Sequence, residues 1–158
     1  MKKVLITIDY NPNSETVVQK GYEMAQLMDA EICLLHVLAD VGFYGMQYEP
    51  FMGYDGYVFP ADYNIHDEYI KVAEDYLEKT KTHLAGANIT THLAEGETAK
   101  SILEYSEKWG ASLIVMGTHS HSTLEKIFLG TVASSVLERT KIPVLMVPVE
   151  NDSEKRKD

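Results

Sequence analysis

Five short apolar runs, separated by stretches whose apolar residues recur at helical spacing, constrain this chain more than any other feature. KVLITI at 3–8, ICLLHV at 32–37, SLIVM at 112–116 and PVLMV at 143–147 are nearly continuous, the pattern of strands buried on both faces. ITTHL at 89–93 alternates weakly and reads as the third strand in chain order. Val17, Val18, Gly21, Ala25 and Met28 predict a first helix, after turn and capping residues at Asn11-Pro12-Asn13-Ser14. Tyr69, Val72, Ala73, Tyr76, Leu77 and Leu84 predict a second, with a cap within 62–64 and a stop at Gly86. Ile102, Leu103, Ser106 and Trp109 predict a third, ended by Gly110, and a fourth covers 131–140. Strands alternating with helices imply an α/β fold, an open parallel sheet with helices on both faces. Residues 1–149 read as one domain, and the charged stretch 150–158 as a disordered tail.

The formal charge of −10 argues against nucleic acid and anionic membrane surfaces as partners, though not against a nucleotide held by backbone groups. No apolar run approaches the roughly 20 residues that insert across a membrane. The apolar opening stops at Asp9 without a cleavage site, which predicts a cytoplasmic protein. Cys33 is the only cysteine, so neither an intrachain disulfide nor a cysteine-based zinc site is possible. Within its apolar run it reads as a small buried hydrophobe.

Ligands of open parallel sheets bind beyond the carboxyl ends of the strands, where the strand order reverses. That rule points to the segments beginning at Asp9, Val37 and Gly117. In GTHSHSTLEKIFLGTVASS, residues 117–135, two glycines bracket a polar and then amphipathic stretch. Thr131 is placed to cap the last helix, with its hydroxyl and the first free amides, Val132 included, facing an anion. The plainer alternative is that Gly117 makes a tight turn and Gly130 breaks a short helix at 124–129. Residues alone leave both readings open.

Residues 112–148, SLIVMGTHSHSTLEKIFLGTVASSVLERTKIPVLMVP, resemble the C-terminal signature of the universal stress protein family. KKVLITIDYNPNSE, CLLHV and EGETAKSILEYSEKWGASLIVMG extend the resemblance over the chain before the tail. It implies a Rossmann-like, adenine nucleotide alpha hydrolase-like sheet of five parallel strands in the order 3-2-1-4-5. The family's ATP-binding branch carries glycine, two residues, glycine, nine residues, glycine, then serine or threonine. Gly117 matches the first position and Gly130 with Thr131 the last, whereas Ser120 replaces the middle glycine and keeps its backbone N–H. By the same resemblance Asp9 lies near the sugar or base, Val37 contacts adenine through its backbone, and Met116 lines the adenine pocket. Tyr10 stands where the family usually has glycine, and its bulk either crowds the pocket or stacks on the base. The resemblance further implies ATP with Mg2+ carried by the nucleotide, a stress-response sensor or switch, and a homodimer through the edge strand at 144–148.

Neither a phosphate-loop lysine motif nor a nucleophile elbow occurs, so no catalytic residue is assigned and at most slow ATP hydrolysis is expected. His119 and His121 have no evident third metal ligand, and suit a proton-sensitive phosphate contact better than a metal site. His36 reads as a satisfied, partly buried residue. The loop GFYGMQYEPFMGYDGYVFPADY, 42–63, interleaves five tyrosines and three phenylalanines with glycine and proline, too aromatic for simple disorder. It reads as a flap over the nucleotide, a contact surface for another subunit, or a cover on its own sheet edge. The alternative function is therefore a nucleotide-free homodimeric interaction protein that docks partners through this loop.

Overall fold

The computed structural model describes residues 1–10, 13–39, 63–84, 86, 88–118 and 129–149. Within them run β1 (Lys2–Thr7), α1 (Ser14–Met28), β2 (Ala30–Leu38), α2 (Tyr63–Leu84), β3 (Ile89–Glu95), α3 (Thr98–Trp109), β4 (Leu113–Gly117), α4 (Thr131–Arg139) and β5 (Val144–Val147). The strands form one parallel sheet in the order β3-β2-β1-β4-β5, as the family resemblance implies.

Successive strand side chains point to opposite faces, and both faces of this sheet are buried. Val4 and Ile6 of β1 pack with Val17, Val18 and Ala25 of α1 and Leu77 of α2. Leu5, between them, packs on the other face with Ile102 and Leu103 of α3 and Val136 of α4. The same alternation sends Ile32 and Leu34 to the first layer and Cys33 and Leu35 to the second. This double burial is why the strands read as continuous apolar runs. At the β5 edge only Val147 is buried, and Val144, Leu145 and Met146 are half-buried.

Asp29, rather than a glycine, adopts the left-handed conformation after α1 (φ 50°), and its N–H donates to the Gln26 carbonyl at 3.1 Å. α2 ends at Leu84, just before Gly86. Gly86 is small because a Cβ there would lie 2.8 Å from Ile89 Cδ1 and 3.3 Å from Tyr22 Cε2. Gly110 does end α3 in the left-handed conformation, with φ 76°.

Cys33 is fully buried, and burial pushes its thiol above the ordinary value. Its Sγ lies 3.6 Å from the Tyr105 hydroxyl. Tyr105 in turn stacks on His92 of β3 at 3.8 Å and on Trp109 at 6.4 Å. Burial, and secondarily Lys108, hold the His92 ring below its ordinary 6.5, so the folded state favours the neutral ring. As pH falls below 6.5 the unfolded chain gains a proton that the folded chain resists, and stability declines until the lower folded value is reached. In urea denaturation, His92→Phe is expected to lose less stability than the parent between about pH 7.5 and about pH 5. Equal losses would contradict this assignment.

β4 closes at Gly117, where a Cβ would lie 2.9 Å from Val17 Cγ2 and 3.2 Å from Val149 Cγ2. Close packing across the sheet end, with no positive φ, requires glycine here. Gly117→Ala is expected to cost about 1–3 kcal/mol in the same assay, the usual range for overpacking. An unchanged midpoint and slope would contradict it.

Candidate functional site

The strand order reverses between β1 and β4, so the chain leaves their carboxyl ends in different directions. The Thr7 hydroxyl bonds the seam by donating to the Val115 carbonyl at 3.2 Å. A cavity of about 340 Å³ opens above it. Asp9, Val37, Met116, Gly117, Gly130, Thr131 and Val132, the sequence-predicted positions, all line this cavity. Ser120 lies outside the described residues, as do His119, His121, the tail 150–158 and the aromatic loop up to Tyr63, where α2 begins.

One wall is the start of α4. Gly130, not Thr131, is the N-cap, in extended conformation (φ −62°, ψ 164°), which corrects the capping role expected of Thr131. Thr131 is instead the first residue of the helix. The Ser134 N–H makes the first intrahelical bond, to the Gly130 carbonyl at 3.0 Å. The amides of Thr131, Val132 and Ala133 precede that bond, and Gly130, as N-cap, brings no side chain to them. At α3 the equivalent groups are spoken for: the Glu97 carboxylate accepts from Ala99 N at 3.1 Å and Lys100 N at 2.7 Å. The open turn of α4 thus presents amides and the positive end of the helix dipole to the cavity.

The opposite wall is the segment after β1, held by three other elements. The Ile8 N–H continues the sheet ladder to the Leu35 carbonyl at 2.9 Å. The Ile8 carbonyl accepts from His36 Nδ1 at 2.8 Å, which assigns the ring proton to Nδ1. The Asp9 carbonyl accepts from the Tyr76 hydroxyl of α2 at 2.8 Å. The Ser14 hydroxyl at the start of α1 lies 2.9 Å from the same carbonyl and also reaches the Asp9 carboxylate. Burial, reinforced by the neighbouring Asp9 and Tyr10, outweighs the Ser14 bond and holds the Tyr76 phenol above its ordinary value.

Tyr10 does not line the cavity. Its ring sits 4.5 Å from His36 and 5.2 Å from Tyr76, so those side chains take up its bulk. Thr118 joins the ends of β4 and β5: its N–H donates to the Val147 carbonyl at 2.9 Å, and its hydroxyl accepts from Val149 N at 3.2 Å.

Sequence reasoning passed over Thr7, Ser14, His36 and Thr118, which also line the cavity. Each stands within a few residues of a strand's carboxyl end or a helix start, so the topological rule applied to every such position would have found them. Among the described lining residues Asp9 is the single carboxylate, and no lysine or arginine joins it. The cavity therefore has a donor end at α4 and an acceptor end at Asp9. Among the described residues no group of three or more His, Cys, Asp or Glu could hold a metal ion. Nor is any described helix long and apolar enough to cross a membrane.

The model of the universal stress protein family matches residues 1–148. A universal stress protein of Methanocaldococcus jannaschii is 34% identical over 151 residues, spanning 92% of this chain and 81% of that protein. Among solved structures, MJ0577 of the same organism superposes with a TM-score of 0.73 at 23% identity, covering 95% of this chain and 97% of that one. A universal stress protein from Archaeoglobus fulgidus, solved in complex with dAMP, has a TM-score of 0.64 at 20% identity, covering 92% and 97%. With the whole-length family match and the 34% identical relative, the chain belongs to the universal stress protein family.

Proposed function

We propose that this chain binds ATP in the cavity between the ends of β1 and β4 and acts as a nucleotide-dependent sensor or switch with little or no hydrolysis. The first turn of α4, which lines that cavity and whose N-cap glycine brings no capping side chain, carries the reading. Helix N-termini hold phosphate by amide donors and dipole together, with no need for a cationic side chain. The amides of Thr131 and Val132, the Thr131 hydroxyl and the backbone at Gly130 and Ser120 take the phosphates in this reading. Asp9, Val37 and Met116 take the nucleoside, and Gly117 forms the floor between. A volume of about 340 Å³ falls within the range of small-molecule sites, about 300–1,000 Å³. The dAMP complex of the Archaeoglobus fulgidus relative supports an adenine nucleotide as the ligand class.

Mg2+ arrives with the nucleotide and neutralises phosphate charge. The absence of lysine and arginine from the described lining favours binding over turnover, because phosphoryl transfer depends on cationic stabilisation. Two protomers pair through β5, whose half-buried Val144, Leu145 and Met146 lie on the sheet's edge.

Calorimetric titration with ATP and magnesium is expected to give a Kd in the range of about 1–100 μM. Gly130→Asp is expected to weaken binding at least about a hundredfold. Aspartate is a favoured N-cap, so the helix is kept while its carboxylate occupies the amides and repels phosphate. No binding by folded parent protein up to about 1 mM, or equal affinity in the variant, would overturn the reading.

A further inference from the structure

His36 is the one titratable base among the described residues that line the cavity, and the binding reading above gives it no part. Strand alternation places it with Ile32 and Leu34 on the face of the sheet that α1 and α2 cover, and it is 5 % exposed. Its Nδ1–H is committed to the Ile8 carbonyl at 2.8 Å, which leaves Nε2 with a lone pair and room for one proton. Nε2 is not sealed off. Among the described residues no buried side-chain nitrogen or oxygen lacks a partner, and the open space that His36 borders is the cavity.

A proton on Nε2 meets surroundings that accept charge. The Tyr10 ring lies 4.5 Å from the imidazole, within cation–π range, and the Tyr76 ring 6.3 Å away, edge-on. Burial holds both phenols above their ordinary 10.0, so they stay neutral. The other groups around His36 are Asp9, which lines the same cavity, the neutral Ser14 from α1, and Leu93, its register partner in β3. His66 at the start of α2 pairs with Glu95 of β3 at 3.3 Å and lines no part of the cavity. With no lysine or arginine in the described lining, a protonated His36 is its only side-chain cation. Even with Mg2+ a triphosphate keeps net negative charge, so gain or loss of that cation changes how tightly it is held.

We propose that His36 makes nucleotide binding at this site proton-linked: its imidazolium form holds the triphosphate more tightly, so affinity rises as pH falls. This rests on the ATP-binding reading above. Histidine is the side chain whose charge changes between about pH 5 and pH 8. Because linkage is reciprocal, bound nucleotide in turn favours the proton on His36. A chain built this way reports acidification through nucleotide occupancy, with no change in ATP concentration.

The test is calorimetric titration of the full chain with ATP and magnesium at about pH 8 and about pH 6, in the parent, His36→Asn and His66→Asn. Asparagine keeps a side-chain N–H for the Ile8 carbonyl but takes up no proton. The parent's affinity is expected to rise about three- to fivefold from the higher pH to the lower. His36→Asn is expected to lose that rise, and His66→Asn, altered outside the cavity, to keep it. Protonation of the nucleotide, and of every other group on the protein, is common to the parent and His36→Asn and cancels between them. NMR of the parent's His36 ring needs no variant: bound ATP is expected to raise its titration midpoint by about 0.5 pH units or more. An affinity that is flat in the parent or equally steep in His36→Asn, or a midpoint that ATP leaves unmoved, would overturn the proposal and leave nucleotide binding standing. No ATP binding at either pH would overturn both.

Discussion

The rest of this site depends on three backbone amides at the start of α4 that have no intrahelical acceptor and receive no side chain from their N-cap residue, Gly130. An uncapped helix start is ordinarily a cost, because amides out of water need partners. Here the helix is secured from the other direction. Ala133 and Val136 are buried in the layer shared with α3, and the Gly130 carbonyl receives the first helical bond. Packing fixes the axis, so the first turn need not supply its own stability. The same chain closes α3 with a bidentate Glu97 cap, so an open turn is not forced by its helix chemistry.

Placement follows from topology. Reversal of strand order between β1 and β4 leaves a crevice, and the fold delivers the start of α4 to one wall and the turn after β1 to the other. The two walls differ in how they are built. The α4 wall offers donors without side-chain charge, whereas the Asp9 wall is a network of His36, Ser14 and Tyr76 bonds around one carboxylate. Nor does the net charge of −10 forbid an anion at the donor wall. Charges beyond about 8 Å are largely screened at physiological ionic strength, so the local dipole decides.

The strands were legible because double burial writes itself as continuous apolar sequence, and α1 because Val17, Val18, Gly21 and Ala25 all fall on its buried face. Gly110 announced its left-handed turn correctly; Asp29 could not, since the rule for helix ends expects glycine. Gly117 shows a different limit. It is required, but by Val17 and Val149, which lie 100 and 32 residues away, and no local pattern encodes such contacts. At the site, seven predicted positions converge on one cavity, yet the cap expected at Thr131 falls one residue earlier, at Gly130. Tyr76 was read only as a core position of its helix. Its hydroxyl bond to Asp9 depends on how α2 lies across the sheet, and periodicity carries no information about that.

Backbone amide NMR during titration with magnesium and ATP tests the central claim most directly. If the open turn of α4 is the phosphate seat, the Thr131, Val132 and Ala133 amides move most, and move alike with inorganic triphosphate. Nucleotide binding that leaves those three amides unmoved would contradict the account.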